Sequence, residues 1–173
     1  VLGGPLGAPP EALQKAKQKL RLATAVQMTL PGSPTVYYGD EVGVTGGDDP
    51  YNRMTYPWAD LGGQPDLSLR ADFKALLKLR QDKPVLRSGV LNAPLVSTSS
   101  ILVLTRQTAT EQVLMAFNNS EQMQTHTFKT PSALLNQQGT VWWGKGTVTI
   151  EGPQMTVSIP PMGAWIWGTT TRR

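Results

Sequence analysis

Residues 31–58 read PGSPTVYYGDEVGVTGGDDPYNRMTYPW, and the order of residue types along this stretch decides how the chain is read. Pro31-Gly32 punctuates the chain. Thr35–Tyr38, β-branched and aromatic, predicts a short buried strand. Gly39-Asp40-Glu41 leads out of it into a polar loop. Residues 39–66 carry nine glycines and prolines and no steady hydrophobic period, and so read as one long loop. A loop of that length inside a folded domain is usually functional or mobile. A strand that opens into a long polar loop is the way an α/β barrel builds its active-site rim.

Upstream, residues 1–10 form a Gly/Pro loop, and a helix is predicted over 11–30. Pro10 suits its first turn, and Glu11 complements the positive helix end. Leu13, Ala16, Leu20 and Ala23 recur at helical spacing, joined by Leu22, Val26 and Leu30. Downstream, a second helix is predicted over 67–83, with Asp66 or Ser68 as its cap and Leu69, Phe73, Leu76 and Leu77 as its apolar stripe. Lys83-Pro84 ends it. Beyond Pro84 come short β-rich runs: Ile101–Thr105, Val113–Phe117, Gln122–Phe128, Thr140–Trp143, Thr147–Ile150, Met155–Ile159 and Ala164–Trp167. Turn residues separate most of them, which predicts an antiparallel sandwich or barrel. The chain thus reads as helix, strand, loop and helix over 1–85, then a separate all-β domain over 86–173.

At 173 residues, 39% hydrophobic and 16% charged, the chain can hold one ordinary domain or two small ones. Seventeen glycines and fourteen prolines favour turns over long helices. The net charge is +4. Its basic residues gather as Lys15, Lys17, Lys19 and Arg21, and as Lys74, Lys78, Arg80, Lys83 and Arg87. Both groups lie on predicted helices and read as solvated faces. No aromatic residues interleave them, which argues against a nucleic-acid partner. The absence of cysteine excludes disulfides, thiolate catalysis and a Cys-ligated zinc site. No window is apolar enough to span a membrane. The N-terminus lacks the layout of a signal peptide and does not begin with Met, which fits a chain that starts inside a longer polypeptide.

Among residues that carry chemistry, the carboxylates come first. Glycoside hydrolysis needs two of them, about 5–9.5 Å apart across the scissile bond. Asp40-Glu41 and Asp48-Asp49 are adjacent in sequence, and neighbours in an extended chain point apart. Neither pair reads as a catalytic dyad. Asp49 and Arg53 stand four apart, so one turn brings them to one side, where carboxylate and guanidinium can grip neighbouring sugar hydroxyls. A local salt bridge holding the loop is the competing reading. Tyr37, Tyr38, Tyr51, Tyr56 and Trp58 offer ring faces suited to the C–H face of a glucose unit. Tyr37 and Tyr38 alternate across the predicted strand, so at most one faces an open site. Trp165 and Trp167 share one face of a β run and read as core. His126, the single histidine, has no paired acid or second His near it in sequence. There is no G-x-S-x-G elbow, phosphate loop or dinucleotide motif. Asn118-Asn119-Ser120 is a glycosylation sequon.

The segment Gly32-Ser33-Pro34-Thr35-Val36-Tyr37-Tyr38-Gly39-Asp40-Glu41 resembles the final barrel strand of the α-amylase family of glycoside hydrolases, which typically reads G-x-P-x-[IV]-Y-Y-G-[DE]-E. The continuation through Gly43, Gly47, Asp49-Pro50, Arg53 and Pro57-Trp58 resembles the neopullulanase, maltogenic amylase and cyclomaltodextrinase branch. The likeness covers almost the whole chain, but only residues 32–58 carry it specifically. It implies an α/β barrel fragment, the end of a (β/α)8 barrel, followed by an all-β antiparallel sandwich domain. On that template 11–30 is the seventh barrel helix, 35–38 the eighth strand and 67–83 the eighth helix.

The same resemblance implies that Asp49 and Arg53, with Tyr51 beside them, bind a glucose unit on the non-reducing side of the cleavage point. Asp40 and Glu41 then shape the strand end. The family's catalytic Asp, Glu and Asp and its usual calcium site lie earlier in its chain, so neither a catalytic residue nor a cofactor is expected here. The expectation is a segment of a retaining, α-glucan-acting glycosidase (starch, maltodextrin, cyclodextrin or pullulan), inactive alone. Its partners would be an α-glucan oligosaccharide and the N-terminal part of the barrel. Residues 1–85 would fold stably only beside the other barrel strands. The alternatives are a non-catalytic carbohydrate-binding or interaction module on the β domain, and an inert amylase-like protein. Bond specificity, hydrolysis versus transfer, oligomeric state and compartment are not written in these residues.

Overall fold

The computed structural model describes residues 2–3, 9–135 and 137–170. The Gly/Pro loop predicted over residues 1–10 falls largely outside them. The first helix, α1 (Pro10–Thr29), begins on the proline that suits a first turn. The second, α2 (Leu67–Asp82), starts from Asp66, whose carboxylate accepts from the backbone N–H groups of Ser68 and Leu69 at 3.0 Å each. Pro84 ends α2 and also opens a five-residue helix, α3 (Pro84–Ser88), that the sequence reading did not contain.

The β elements are β1 (Leu2–Gly3), β2 (Thr45–Gly46), β3 (Val90–Leu91), β4 (Val96–Ser97), β5 (Ile101–Gln107), β6 (Glu111–Asn118), β7 (Gln124–Lys129), β8 (Thr140–Gly144), β9 (Thr147–Glu151), β10 (Gln154–Ile159) and β11 (Ala164–Thr170). The seven runs expected beyond Pro84 all form strands, joined by the short β3 and β4. One sheet runs β3-β5-β6-β11-β8, with β4 on β5; a second runs β7-β10-β9, and every pairing in both is antiparallel. A separate parallel pair, β1-β2, joins the start of the chain to the polar loop.

Three layers result, and the central sheet is buried on both faces. On one face Val113, Met115 and Phe117 of β6 and Ala164 and Ile166 of β11 pack against Leu22, Ala25 and Met28 of α1, Leu76 of α2 and Val85 and Leu86 of α3. On the other, Leu114, Ala116, Trp165 and Trp167 meet Met155, Val157 and Ile159 of the three-stranded sheet. Period-two alternation sorts the residues of β6 and β11 between two cores. That explains why both strands read as continuous apolar runs rather than alternating ones. Trp165 and Trp167 are core residues, as expected, with ring centroids 6.3 Å apart. Trp142 of β8 lies over Gly168, where a Cβ would meet its ring at 2.1 Å.

Two expectations for the helices change. The buried face of α1 is Leu22, Thr24, Ala25, Met28 and Thr29, with the expected Val26 and Leu30 packed beside it, whereas Ala23 is exposed and Leu13, Ala16 and Leu20 are half-buried. Only the C-terminal half of α1 reaches the sheet. The basic residues are not all solvated either. Lys74 and Lys78 are exposed, but Arg80 is buried and so is Arg106 of β5.

These two guanidinium groups meet no carboxylate at bonding distance among the described residues. They are enclosed by backbone carbonyls instead. Arg80 donates to Met28 (2.8 Å), Leu30 (3.0 Å), Gly32 (2.6 Å) and Leu86 (2.7 Å). Arg106 donates to Thr29 (2.8 Å), Leu86 (2.6 Å) and Gly89 (2.8 Å). The carbonyls at the end of α1 are those a helix leaves unpaired, and they carry its negative dipole end. Burial pushes both arginines below the usual arginine range, and a neighbouring cation (Arg87 for Arg80, Arg80 for Arg106) adds to this.

Replacement of Arg106 by Lys supplies a point charge that cannot reach the carbonyls of Thr29, Leu86 and Gly89 together. Arg106→Lys is expected to cost about 3 kcal/mol of unfolding free energy, the usual penalty for breaking a buried charged network. A urea denaturation midpoint equal to that of the parent chain would refute this.

Candidate functional site

The stretch that opened the reading forms an irregular loop from α1 to α2. Thr35–Tyr38, predicted as a buried strand, forms no strand and pairs with none among the described residues; it runs into a turn at Tyr38-Gly39. Without a neighbouring strand its backbone forms no ladder, and its Thr35 and Tyr37 carbonyls accept instead from the Gln27 side chain and the Asp40 N–H. Val36 is half-buried against the helix-side core, but the two tyrosines are open. Tyr37 is 46% and Tyr38 47% exposed, with ring centroids 4.9 Å apart, so the two rings lie together rather than on opposite faces. The Tyr38 hydroxyl donates to the Met54 carbonyl at 3.0 Å and straps the loop across itself.

Gly39 follows at φ +90°, a left-handed conformation in which a Cβ would also strike Val44 at 2.7 Å. The Glu41 carboxylate accepts from the Gly39 N–H at 2.9 Å. Glu41 therefore holds its own turn, in keeping with a structural use. Asp40 opens the short 3-10 turn Asp40–Val42.

Asp49, Tyr51 and Arg53 come together at the loop tip. Asp49-Pro50 is a cis peptide, and Tyr51–Arg53 form a single 3-10 turn in which the Arg53 N–H donates to the Pro50 carbonyl at 3.2 Å. That turn sets Arg53 Nη2 directly on Asp49 Oδ1. Both side chains stay open, Arg53 at 63% and Asp49 at 69% exposure, and Tyr51 is exposed beside them. An ion pair this exposed contributes about 0–1 kcal/mol to stability. The pair presents a planar donor fork and an acceptor to one side, and the same turn carries the exposed ring of Tyr51. That set matches the hydroxyls and C–H face of a sugar ring.

Further along, Tyr56 and Trp58 lie with ring centroids 4.5 Å apart and line a groove of about 630 Å3 with Leu61 and Gly63. Only glycine fits at 63, where a Cβ would come within 2.4 Å of the Pro57 backbone. The far end of the loop is tied down at Asp66. Its N–H donates to the Val42 carbonyl at 3.1 Å, and its carboxylate caps α2 while pairing with Lys17 of α1 at 2.6 Å. The hydrogen bond from Lys17 is the main reason that this carboxyl lies well below the usual carboxylate range, with those from Ser68 and Leu69 assisting against the cost of burial.

The remaining candidates are structural. His126 contacts Gln124 at 3.4 Å and no acid joins it in a triad arrangement among the described residues. The sequon residue Asn118 is fully buried, and its amide nitrogen donates to the carbonyls of Gln122, Ile159 and Pro160. In the folded chain that nitrogen has no room for a glycan. Two features lacked a sequence signal: the carbonyl cage around Arg80 and Arg106, and a cleft beside Trp143 whose members are far apart in the chain.

Comparison with known proteins places this loop and sandwich in context. No protein-family model matches the chain. It is 34% identical over 166 residues to an amylopullulanase of Thermoanaerobacterium saccharolyticum, covering 87% of this chain and 12% of that protein. It is 33% identical over 106 residues to a cyclomaltodextrinase of Bacillus sp, covering 61% of this chain and 19% of that one. A solved debranching enzyme of Nostoc punctiforme superposes with a TM-score of 0.76 at 28% identity, over 88% of this chain and 31% of the other. The chain is thus a relative of the α-amylase family of glycoside hydrolases. Within that family it resembles a part of the amylopullulanase and cyclomaltodextrinase kinds, spanning under a fifth of the length of either relative named above.

Because its carboxyl is held low in the folded chain, Asp66 adds stability that is present above the unfolded value near 3.9 and is lost as pH falls below it. Asp66→Ala is expected to cost about 1–2 kcal/mol at neutral pH, and the gap from the parent should narrow below about pH 4. Thermal unfolding of both chains across pH 3–7 checks this; a gap that widens on acidification would contradict it.

Proposed function

We propose that this chain is the C-terminal part of a retaining, α-glucan-acting glycosidase: the last strand position and last helices of a (β/α)8 barrel over residues 1–85, then the β-sandwich over 86–173. In this reading Asp49, Arg53 and Tyr51 bind a glucose unit on the non-reducing side of the scissile bond. Asp49 accepts from its hydroxyls, Arg53 donates to them and Tyr51 covers the C–H face.

The observation that carries the reading is the Asp49–Arg53 pair. It is set on one face by a single turn that also holds Tyr51 and is left open to solvent, in a loop whose sequence resembles the family's final barrel strand and exit. A pair kept only for stability gains little at this exposure, so ligand binding is the better account of its geometry. The named activities of the relatives, amylopullulanase and cyclomaltodextrinase, support starch-, pullulan- or cyclodextrin-type substrates for the whole enzyme. Chemistry in that enzyme would proceed by double displacement, with its nucleophile and acid/base carboxylates supplied from outside this chain.

Thr35–Tyr38, which joins no sheet and leaves Tyr37 and Tyr38 open, is in this account the segment that pairs as a strand inside the complete barrel. Two measurements test the proposal. Incubated with pullulan or β-cyclodextrin, the chain should release no reducing sugar; measurable release would overturn the assignment of catalysis elsewhere. Titrated calorimetrically with maltotetraose, it should bind weakly. Asp49→Ala and Arg53→Ala should each lower that affinity about tenfold, the worth of one charge-assisted hydrogen bond. Unaltered affinity in both variants would remove these residues from the site.

A further inference from the structure

A second cleft, of about 550 Å3, lies between α1 and α2 on one side and the β8 edge of the large sheet on the other. Its volume is within the range of small-molecule sites, about 300–1,000 Å3. The cleft shares no residue with the Asp49 loop. Trp143, half-buried on β8, lines one wall. Facing it from the helices are Arg21 and Asp72, paired at 2.6 Å and 24% and 35% exposed. Arg21 is engaged through Nε and, to Ser68, through Nη2, and Asp72 through Oδ2. Arg21 Nη1 and Asp72 Oδ1 therefore keep hydrogen-bonding capacity. Gln18 and Lys145 add an amide and an ammonium to the lining.

The other wall holds a second, independent signal. Met162 has φ +47°, the single non-glycine residue with positive φ among the described residues. For an unbranched L-residue this conformation costs about 1–2 kcal/mol. A glycine would adopt it freely. The turn is held in place by the Met162 N–H donating to the Ser120 carbonyl at 2.9 Å. Strain kept at a cleft wall, where it buys an apolar side chain in the lining, is the mark of a site rather than of a seam.

We propose that this cleft is a second α-glucan-binding site. A pyranose face rests on Trp143 and its hydroxyls bond to Arg21 and Asp72, with Met162 closing the apolar side. The lining suits a neutral polyol: an aromatic ring, donors and acceptors together, and cations balanced in part by a paired carboxylate. A polymer held at both the cleft and the Asp49 loop would gain effective concentration at each. The proposal rests on the α-glucan reading above.

The test is fluorine NMR of the full 173-residue chain labelled with 5-fluorotryptophan, titrated with maltotetraose to about 20 mM, near the weak end of specific binding. The chain has five tryptophans. Trp143→Phe and Trp58→Phe assign the two resonances that matter, Trp58 lying on the loop that carries Asp49 and Arg53. The Trp143 resonance should shift saturably. Asp72→Asn should weaken that response about tenfold, and Arg53→Ala should leave it unchanged. If Trp58 moves and Trp143 stays still, the cleft proposal is overturned and the loop reading stands. Movement of Trp143 alone supports the cleft and sinks the loop. Stillness of both, in a chain whose dispersed spectrum shows it folded, overturns both.

Discussion

Two buried cations hold the layers of this protein together. Arg80 comes from α2 and Arg106 from β5, and between them they bind the carbonyls that end α1, the Leu86 carbonyl of α3 and those of Gly32 and Gly89. Leu86 accepts from both. Apolar packing brings the helices to the sheet but is tolerant of sliding, since it has no direction. The guanidinium forks remove that tolerance, because each satisfies several fixed carbonyl positions at once. Without a carboxylate at bonding distance, the charge is offset by the negative end of α1 and by carbonyl dipoles. Glu111, also buried, works from the other side: it accepts from the Val85 N–H at the start of α3 and lies 4.0 Å from Lys83.

The β half of the fold was open to a sequence reading because each strand is a short run of suitable residues bounded by turn residues. Local chemistry fixes such strands. What it does not fix is which face a residue takes when both faces are buried. Val113 to Phe117 give no alternation to read, and only the existence of two cores divides them. Likewise α1 carries more apolar residues than its packing uses. The periodicity marked residues from Leu13 to Leu30, but burial begins at Leu22, because the sheet meets only the end of the helix. Arg80 read as surface charge since arginine is rarely buried without an acid, and Arg106 drew no reading for the same reason. The carbonyls that change this are tertiary and leave no trace in local sequence.

The meeting of Asp49 and Arg53 was legible for the opposite reason. The two are close together in the chain, so their four-residue spacing already implied a shared face, and the turn at Tyr51–Arg53 provides it. Thr35–Tyr38 misled because β-propensity reports fitness for a pleated surface and cannot supply the neighbouring strand. The Trp143 cleft was invisible, since Arg21, Asp72, Trp143 and Met162 are gathered from three elements and a turn.

These observations together assign different stiffness to different parts of the loop. Its first end is fixed where Gly32 meets Arg80, and its last where Asp66 meets Lys17 and the start of α2. Between them the chain is held by short turns, the Tyr38 strap and an exposed ion pair, with little apolar burial beyond Val42. Few buried contacts mean a low cost of local opening. The tip is therefore free to adjust to a ligand while its ends stay in register with the helices. A sugar that replaces water around Asp49 and Arg53 would add hydrogen bonds where the protein has fewest, so ordering on binding should concentrate at the tip. Stiffness at the ends comes ultimately from the carbonyl cage and the Asp66 cap, so on the proposed reading the determinants of binding geometry would lie outside the Asp49–Arg53 turn itself.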